Sequence, residues 1–179
     1  LKHADCIFLL DNMFQRWLSE LGASNLKEMK ACWIESCTTM ESLFHVEEAE
    51  EIAKLQATLE TLAVCNAINL KTVYNGKEEL EIFHNLQNLC IDCCPKLTSL
   101  FSSSLPVNLK VLQIKFCDKL ENVFEKSSSE HKQPNIESLV LCELPELKSI
   151  GCQLPSLQTL KVVACPNLQK LQENVESAK

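Results

Sequence analysis

The chain has 179 residues, 46% of them apolar and 23% charged, with a net charge of −7 and no run of Lys or Arg. That length suits one sizeable core or a short repeat array, and the negative balance disfavours a nucleic-acid backbone or an anionic membrane as partner. With only three Gly and one Tyr, glycine-rich phosphate loops and aromatic stacking platforms have little material.

In chain order, Leu1 to Leu10 carries Lys2, His3 and Asp5 and lacks a small-residue cleavage site, so it does not read as a signal peptide. Without an initiator Met, the sequence is expected to be a piece of a longer chain. A weak first repeat begins near Ala4, with Ile7 and Leu9 two residues apart. The next reads Met29, Cys32, Ile34, Cys37, Met40, Leu43. Glu47 to Gln56 is acidic and predicts a short surface helix before Leu59, Leu62, Val64, Ala67, Leu70, Val73. Residues 75–79 form a turn signal ahead of Leu86, Leu89, Ile91, Cys94, Leu97, Leu100. Residues 101–106 predict a compact crossover into Leu109, Leu112, Ile114, Cys117, Leu120, Val123. Residues 125–134 are polar throughout, and their serines read as part of a solvated loop rather than as modification sites. Two further units follow, Ile136, Leu139, Leu141, Leu144, Leu147, Ile150 and Leu157, Leu160, Val162, Cys165, Leu168, Leu171. The starts fall at 4, 29, 59, 86, 109, 136 and 157, and from 29 onward the periods are 30, 27, 23, 27 and 21. No stretch reaches the ~18 apolar residues that span a bilayer.

This spacing dictates an architecture. Within each unit the second and third apolar residues lie two apart, so both face one side of a short strand. Later apolar residues come at steps of three, as the chain turns away and crosses the core. One unit cannot bury its own apolar edge, but stacked units share a continuous core. The expectation is a leucine-rich-repeat solenoid of the α/β class, mostly β and coil. It is a right-handed horseshoe of about six to seven irregular repeats, with a parallel sheet on its concave face. Residues 1–179 then form a single domain. Seven strands at ~4.8 Å spacing make a sheet about 30 Å across.

Eleven cysteines form an odd count in a Leu-rich chain, which favours buried thiols over a disulfide framework. Cys37, Cys94, Cys117 and Cys165 share one site just after the strand, where a small side chain with a weak S–H donor meets a backbone carbonyl. Ala67 and Leu144 replace it in two units, so packing alone is adequate there. Cys90, Cys93 and Cys94 resemble a metal knuckle, but zinc needs two further ligands, and the His residues at 3, 45, 84 and 131 are scattered. No metal site, nucleotide loop or oriented nucleophile–base pair is expected, so the chain does not read as an enzyme.

The side chains free to act alternate with the buried strand positions. One outward column holds Phe8, Trp33, Ala63, Cys90, Gln113, Val140 and Lys161; the next holds Leu10, Glu35, Cys65, Asp92, Lys115, Cys142 and Val163. These columns are apolar for a free surface and point to protein contact. Phe8, Trp33, Glu35, Cys90, Asp92, Gln113, Lys115, Val140 and Lys161 are the candidate contacts. Trp33 beside Glu35 is either a contact anchor or packs on a neighbouring domain or repeat.

The tails Cys94-Pro95-Lys96-Leu97, Cys117-Asp118-Lys119-Leu120 and Cys165-Pro166-Asn167-Leu168, with the Cys-less Leu144-Pro145-Glu146-Leu147, resemble those of plant intracellular immune receptors. These are the coiled-coil, nucleotide-binding, leucine-rich-repeat disease-resistance proteins. The lead-in Leu1 to Leu21 and Asn25 to Met29 is similar to the stretch before such repeats, and the irregular periods fit. The resemblance implies a cytoplasmic parent with an ADP/ATP-switched domain upstream, and no cofactor within this chain. It also implies protein partners: a pathogen effector, a guarded host protein, or the parent's own nucleotide-binding domain. In the resting state the repeats would restrain the receptor. The alternative is the substrate-binding repeat region of an F-box ubiquitin-ligase subunit, whose units are more regular. A hydrolase using Cys90 or Cys93 as nucleophile is a third reading.

Overall fold

The structure is a computed structural model that describes residues 5–11, 18, 29–44, 58–74, 83–101, 106–124 and 133–168. The expected helix at 47–56 and turn at 75–79 lie outside the described residues, as does most of the segments 101–106 and 125–134.

Each pair of apolar residues two apart becomes a five-residue strand. The strands are β1 (Cys6–Leu10), β2 (Ala31–Glu35), β4 (Thr61–Cys65), β6 (Asn88–Asp92), β8 (Val111–Lys115), β9 (Ser138–Cys142) and β10 (Thr159–Val163). They form one parallel sheet in the order β1-β2-β4-β6-β8-β9-β10. The register never slips. Leu9, Ile34, Val64, Ile91, Ile114, Leu141 and Val162 lie side by side along it. A one-residue shift would turn every core residue outward, so the apolar pairs themselves pin the register.

At the entry of each strand after β1, two consecutive N–H groups share one carbonyl of the preceding repeat. Lys110 and Val111 both donate to Gln87 O, at 2.8 and 2.9 Å, and Glu137 and Ser138 both donate to Lys110 O. At each strand exit one residue takes the left-handed conformation. These are Asp11, Ser36, Asn66, Cys93, Phe116, Glu143 and Ala164, with φ between 49° and 57°. The kink turns the chain inward, and for six of the seven the N–H continues the ladder to the next strand's last carbonyl, as Phe116 N does to Cys142 O at 3.0 Å. A bulky side chain in this region is held at a cost of about 1 kcal/mol, whereas Asn tolerates it. Phe116 is also 49% exposed and gives up little burial. Phe116→Asn therefore raises the unfolding free energy by ~0.5–1 kcal/mol, which a urea titration detects as a higher midpoint.

The Cys site works as expected from its spacing. Cys94 Sγ donates to Asp92 O at 3.4 Å, Cys117 to Lys115 O at 3.3 Å and Cys165 to Val163 O at 3.4 Å. Each of those carbonyls also accepts the N–H of the preceding repeat's left-handed residue. The thiol thus takes the second lone pair of a carbonyl at the turn that already accepts a backbone N–H. Burial is incomplete at Cys165, however, because it lies in the last described repeat.

A second parallel sheet was not legible in the repeat. It joins β3 (Ser42–Phe44), β5 (Thr72–Tyr74) and β7 (Ser99–Phe101), and an Asn122–Ser149 bridge repeats the pairing in later units. Behind it, the Phe83 ring packs edge-on against Phe44, Tyr74 and Phe101, with centroids 5.5, 6.2 and 4.8 Å away. Between the sheets runs a single core.

Candidate protein-contact face

The alternation of each strand places one set of side chains on the outer face of the seven-stranded sheet. Phe8, Trp33, Ala63, Cys90, Gln113, Val140 and Lys161 stand in one row across it. Leu10, Glu35, Cys65, Asp92, Lys115, Cys142 and Val163 form the next. Phe8, Glu35 and Lys161 are exposed, and Cys90, Asp92, Gln113, Lys115 and Val140 are half-buried. Trp33 is exposed, and its Nε1–H donates to Glu35 Oε2 at 3.3 Å. The candidate contacts are therefore brought onto one continuous surface about seven strands wide.

Two expectations need correction. Ala63 is buried although it points to the outer face, because its short side chain sits below its larger row neighbours Trp33 and Cys90. At the other end Leu160 is 37% exposed, and Leu157 and Val162 are half-buried. Their counterparts Leu112, Leu109 and Ile114 are fully buried. The difference is position: β10 has a strand on one side only among the described residues. The columns also missed Phe116 and Asp11, which sit beside the face at the left-handed position. Their signal was the residue just before each Cys site.

Of the thiols on and beside the face, Cys65, Cys90 and Cys93 are shifted upward, whereas beneath it the hydrogen bond with Cys117 lowers the buried Cys94. Burial, helped by Asp92 and neighbouring Cys90 and Glu35, pushes Cys65 up to about 11. Burial also raises Cys90, against an opposing effect of Lys115, and with a hydrogen bond to Asp92 it raises Cys93. The hydrogen bond with Cys94, together with burial, drives Cys117 far above the ordinary thiol range. A nucleophile needs a downward shift, and the upward shifts of Cys90 and Cys93, the two thiols of the hydrolase reading, weigh against it. Among the described residues no group of three or more His, Cys, Asp or Glu is placed to hold a metal ion. No helix of the described residues is long and apolar enough to cross a membrane.

One pH effect follows. Burial, with Cys6 and Cys37 nearby, raises the Cys32 thiol to about 12. Unfolded, it ionises near the free-thiol value of about 8.5, so the unfolded state then binds fewer protons than the native one. The stabilisation is fully present below that value and is lost as pH rises toward 12. Each pH unit in that window removes ~1.4 kcal/mol for this thiol. The stability gap between wild type and Cys32→Ala, followed by urea unfolding from pH 8 to pH 11, should therefore shrink.

The model of a known family, described as plant disease resistance protein RPS2-like leucine-rich repeats, matches residues 1–113. The chain belongs to this family. It is 34% identical over 93% of its length to At4g19050, a protein of Arabidopsis thaliana named for disease resistance. It is also 34% identical over 54% of its length to At5g45510, and 30% identical over 63% to At5g47260, both similarly named and from the same plant. The chain spans 14%, 7% and 13% of those relatives. No solved structure matches it. The leucine-rich repeats described above are thus those of a plant disease resistance protein, and the family lies with the first of the two non-enzymatic readings of the sequence.

Proposed function

We propose that the outer face of the seven-stranded sheet is the protein-recognition surface of a cytoplasmic plant immune receptor. In this reading the concave face meets a pathogen effector, directly or through a guarded host protein, and in the resting state it holds the receptor off. The chain acts by contact and carries no catalytic step. The ADP/ATP switch belongs to the parent's nucleotide-binding domain, outside these repeats. The observation that carries the proposal is the continuous face itself. It keeps Phe8, Leu10 and Trp33 exposed on adjacent strands, with Glu35 in register with Leu10, while Ile7, Leu9, Cys32 and Ile34, which alternate with them, are buried. Large exposed apolar side chains gathered on one face mark contact sites.

The test is mutational. Trp33→Ala and Lys115→Glu each weaken partner capture by the parent receptor at least ~10-fold, as interface anchors do. Both leave thermal unfolding nearly unchanged, since neither side chain is in the core. Wild-type binding by both variants would move the interface elsewhere.

A further inference from the structure

The outer face is not uniform. Its first two strands carry a two-by-two block, with Phe8 in register with Trp33 and Leu10 in register with Glu35. Strands lie ~4.8 Å apart and alternate residues ~6.7 Å apart along each strand, so the four side chains form one patch. Phe8, Leu10 and Trp33 are 62%, 61% and 41% exposed. The fourth is a carboxylate that accepts the indole N–H, which ties the ring to the acid.

More negative charge gathers at this corner. Asp11 follows β1 directly, and its N–H donates to Glu35 O at 2.9 Å. Asp92 stands in the Glu35 row two strands on, across Cys65. Among the described residues neither Asp11 nor Glu35 has an ion-pair partner; the ion pairs there join Lys71 to Glu41 and Lys148 to Glu121. The cations of the face, Lys115 and Lys161, stand on β8 and β10.

An exposed aromatic ring beside a carboxylate that has no ion-pair partner among the described residues suits a planar cation better than a neutral apolar chain. A guanidinium stacks on an indole and forms charge-assisted hydrogen bonds to a carboxylate at the same time. We propose that the Trp33–Glu35 corner of the face receives an arginine side chain of a bound protein segment, with an adjacent apolar residue of that segment lying on Phe8 and Leu10. This rests on the reading that the face binds protein, and it names the chemistry that one end of the face selects.

The full 179-residue chain, labelled with nitrogen-15, tests it directly, because its two tryptophans give two indole N–H signals. Trp17→Phe assigns them. Acetyl-leucyl-arginine amide is titrated against acetyl-leucyl-citrulline amide, which keeps the shape and removes the charge. The arginine peptide should shift the Trp33 indole signal saturably and bind about fivefold or more tighter than the citrulline peptide. Glu35→Gln should abolish that preference while leaving the rest of the spectrum in place. Equal binding of the two peptides, or a Trp33 signal unmoved by both, overturns the proposal. If Trp33 is unmoved but Trp33→Ala still weakens partner capture, the arginine assignment fails and the face reading stands. If the peptide shifts Trp33 but both face variants capture partner normally, the arginine site stands and the face reading fails.

Discussion

Gly151→Ala is expected to lower the unfolding free energy by ~3–4 kcal/mol, a value reached by few single substitutions. Gly151 sits at φ +90°, and a Cβ added there would lie 1.9 Å from the backbone oxygen of Phe124. That oxygen belongs to the neighbouring repeat's backbone, so it cannot rotate away as a side chain would. The two segments are pinned close together by Val123 N–H to Ser149 O at 3.1 Å and Phe124 N–H to Ile150 O at 2.9 Å. Relief of the clash therefore has to break this ladder, in addition to the strain of an L-residue at positive φ. In urea titration the midpoint should fall by a large fraction. An unchanged midpoint would mean that the two tails do not approach as closely as described.

Leu112→Ala should cost ~2–5 kcal/mol, while Leu160→Ala, at the same place in its own repeat, should cost about 1 kcal/mol. Leu112 is fully buried in β8, with β6 on one side and β9 on the other. Leu160 in β10 is 37% exposed, so its truncation leaves a smaller cavity and forfeits less apolar contact. The pair separates two accounts of repeat stability. If the sequence pattern alone set the energy, the two variants would unfold alike. If interfaces between neighbours set it, as in a one-dimensional stack, the central variant is several-fold worse. Thermal and urea unfolding of both, side by side, decide the matter.

Much of this molecule is written in its spacing. The pairs Leu112 and Ile114, or Leu89 and Ile91, lie two apart, and a strand that buries alternate residues needs nothing more. The same alternation places Trp33, Glu35, Asp92 and Lys115 on the opposite face. The shared Cys site was equally legible, since a small thiol two residues past the strand has a carbonyl within reach. These features depend on contacts that recur in every repeat, and a periodic sequence states such contacts many times over.

Other features depend on what lies beside a residue in space, which spacing does not encode. Ala63 belongs to the outward column, yet the larger residues flanking it in the row leave it buried. Phe83 precedes its repeat start at Leu86 and has no place in the six-position spacing, but it closes an aromatic cluster with Phe44, Tyr74 and Phe101 from three repeats. Gly151 carries no motif; only the approach of Phe124 O from the neighbouring tail makes it obligatory. The meeting of Phe8, Leu10, Trp33 and Glu35 in one block likewise required the parallel register of β1 and β2. By itself the sequence determined the repeating strand, its buried side and its Cys turn, because those are local and periodic. The tertiary structure alone decided which positions are covered, which backbone segments touch, and where an aromatic ring and an acid share a corner, because those depend on neighbours tens of residues away.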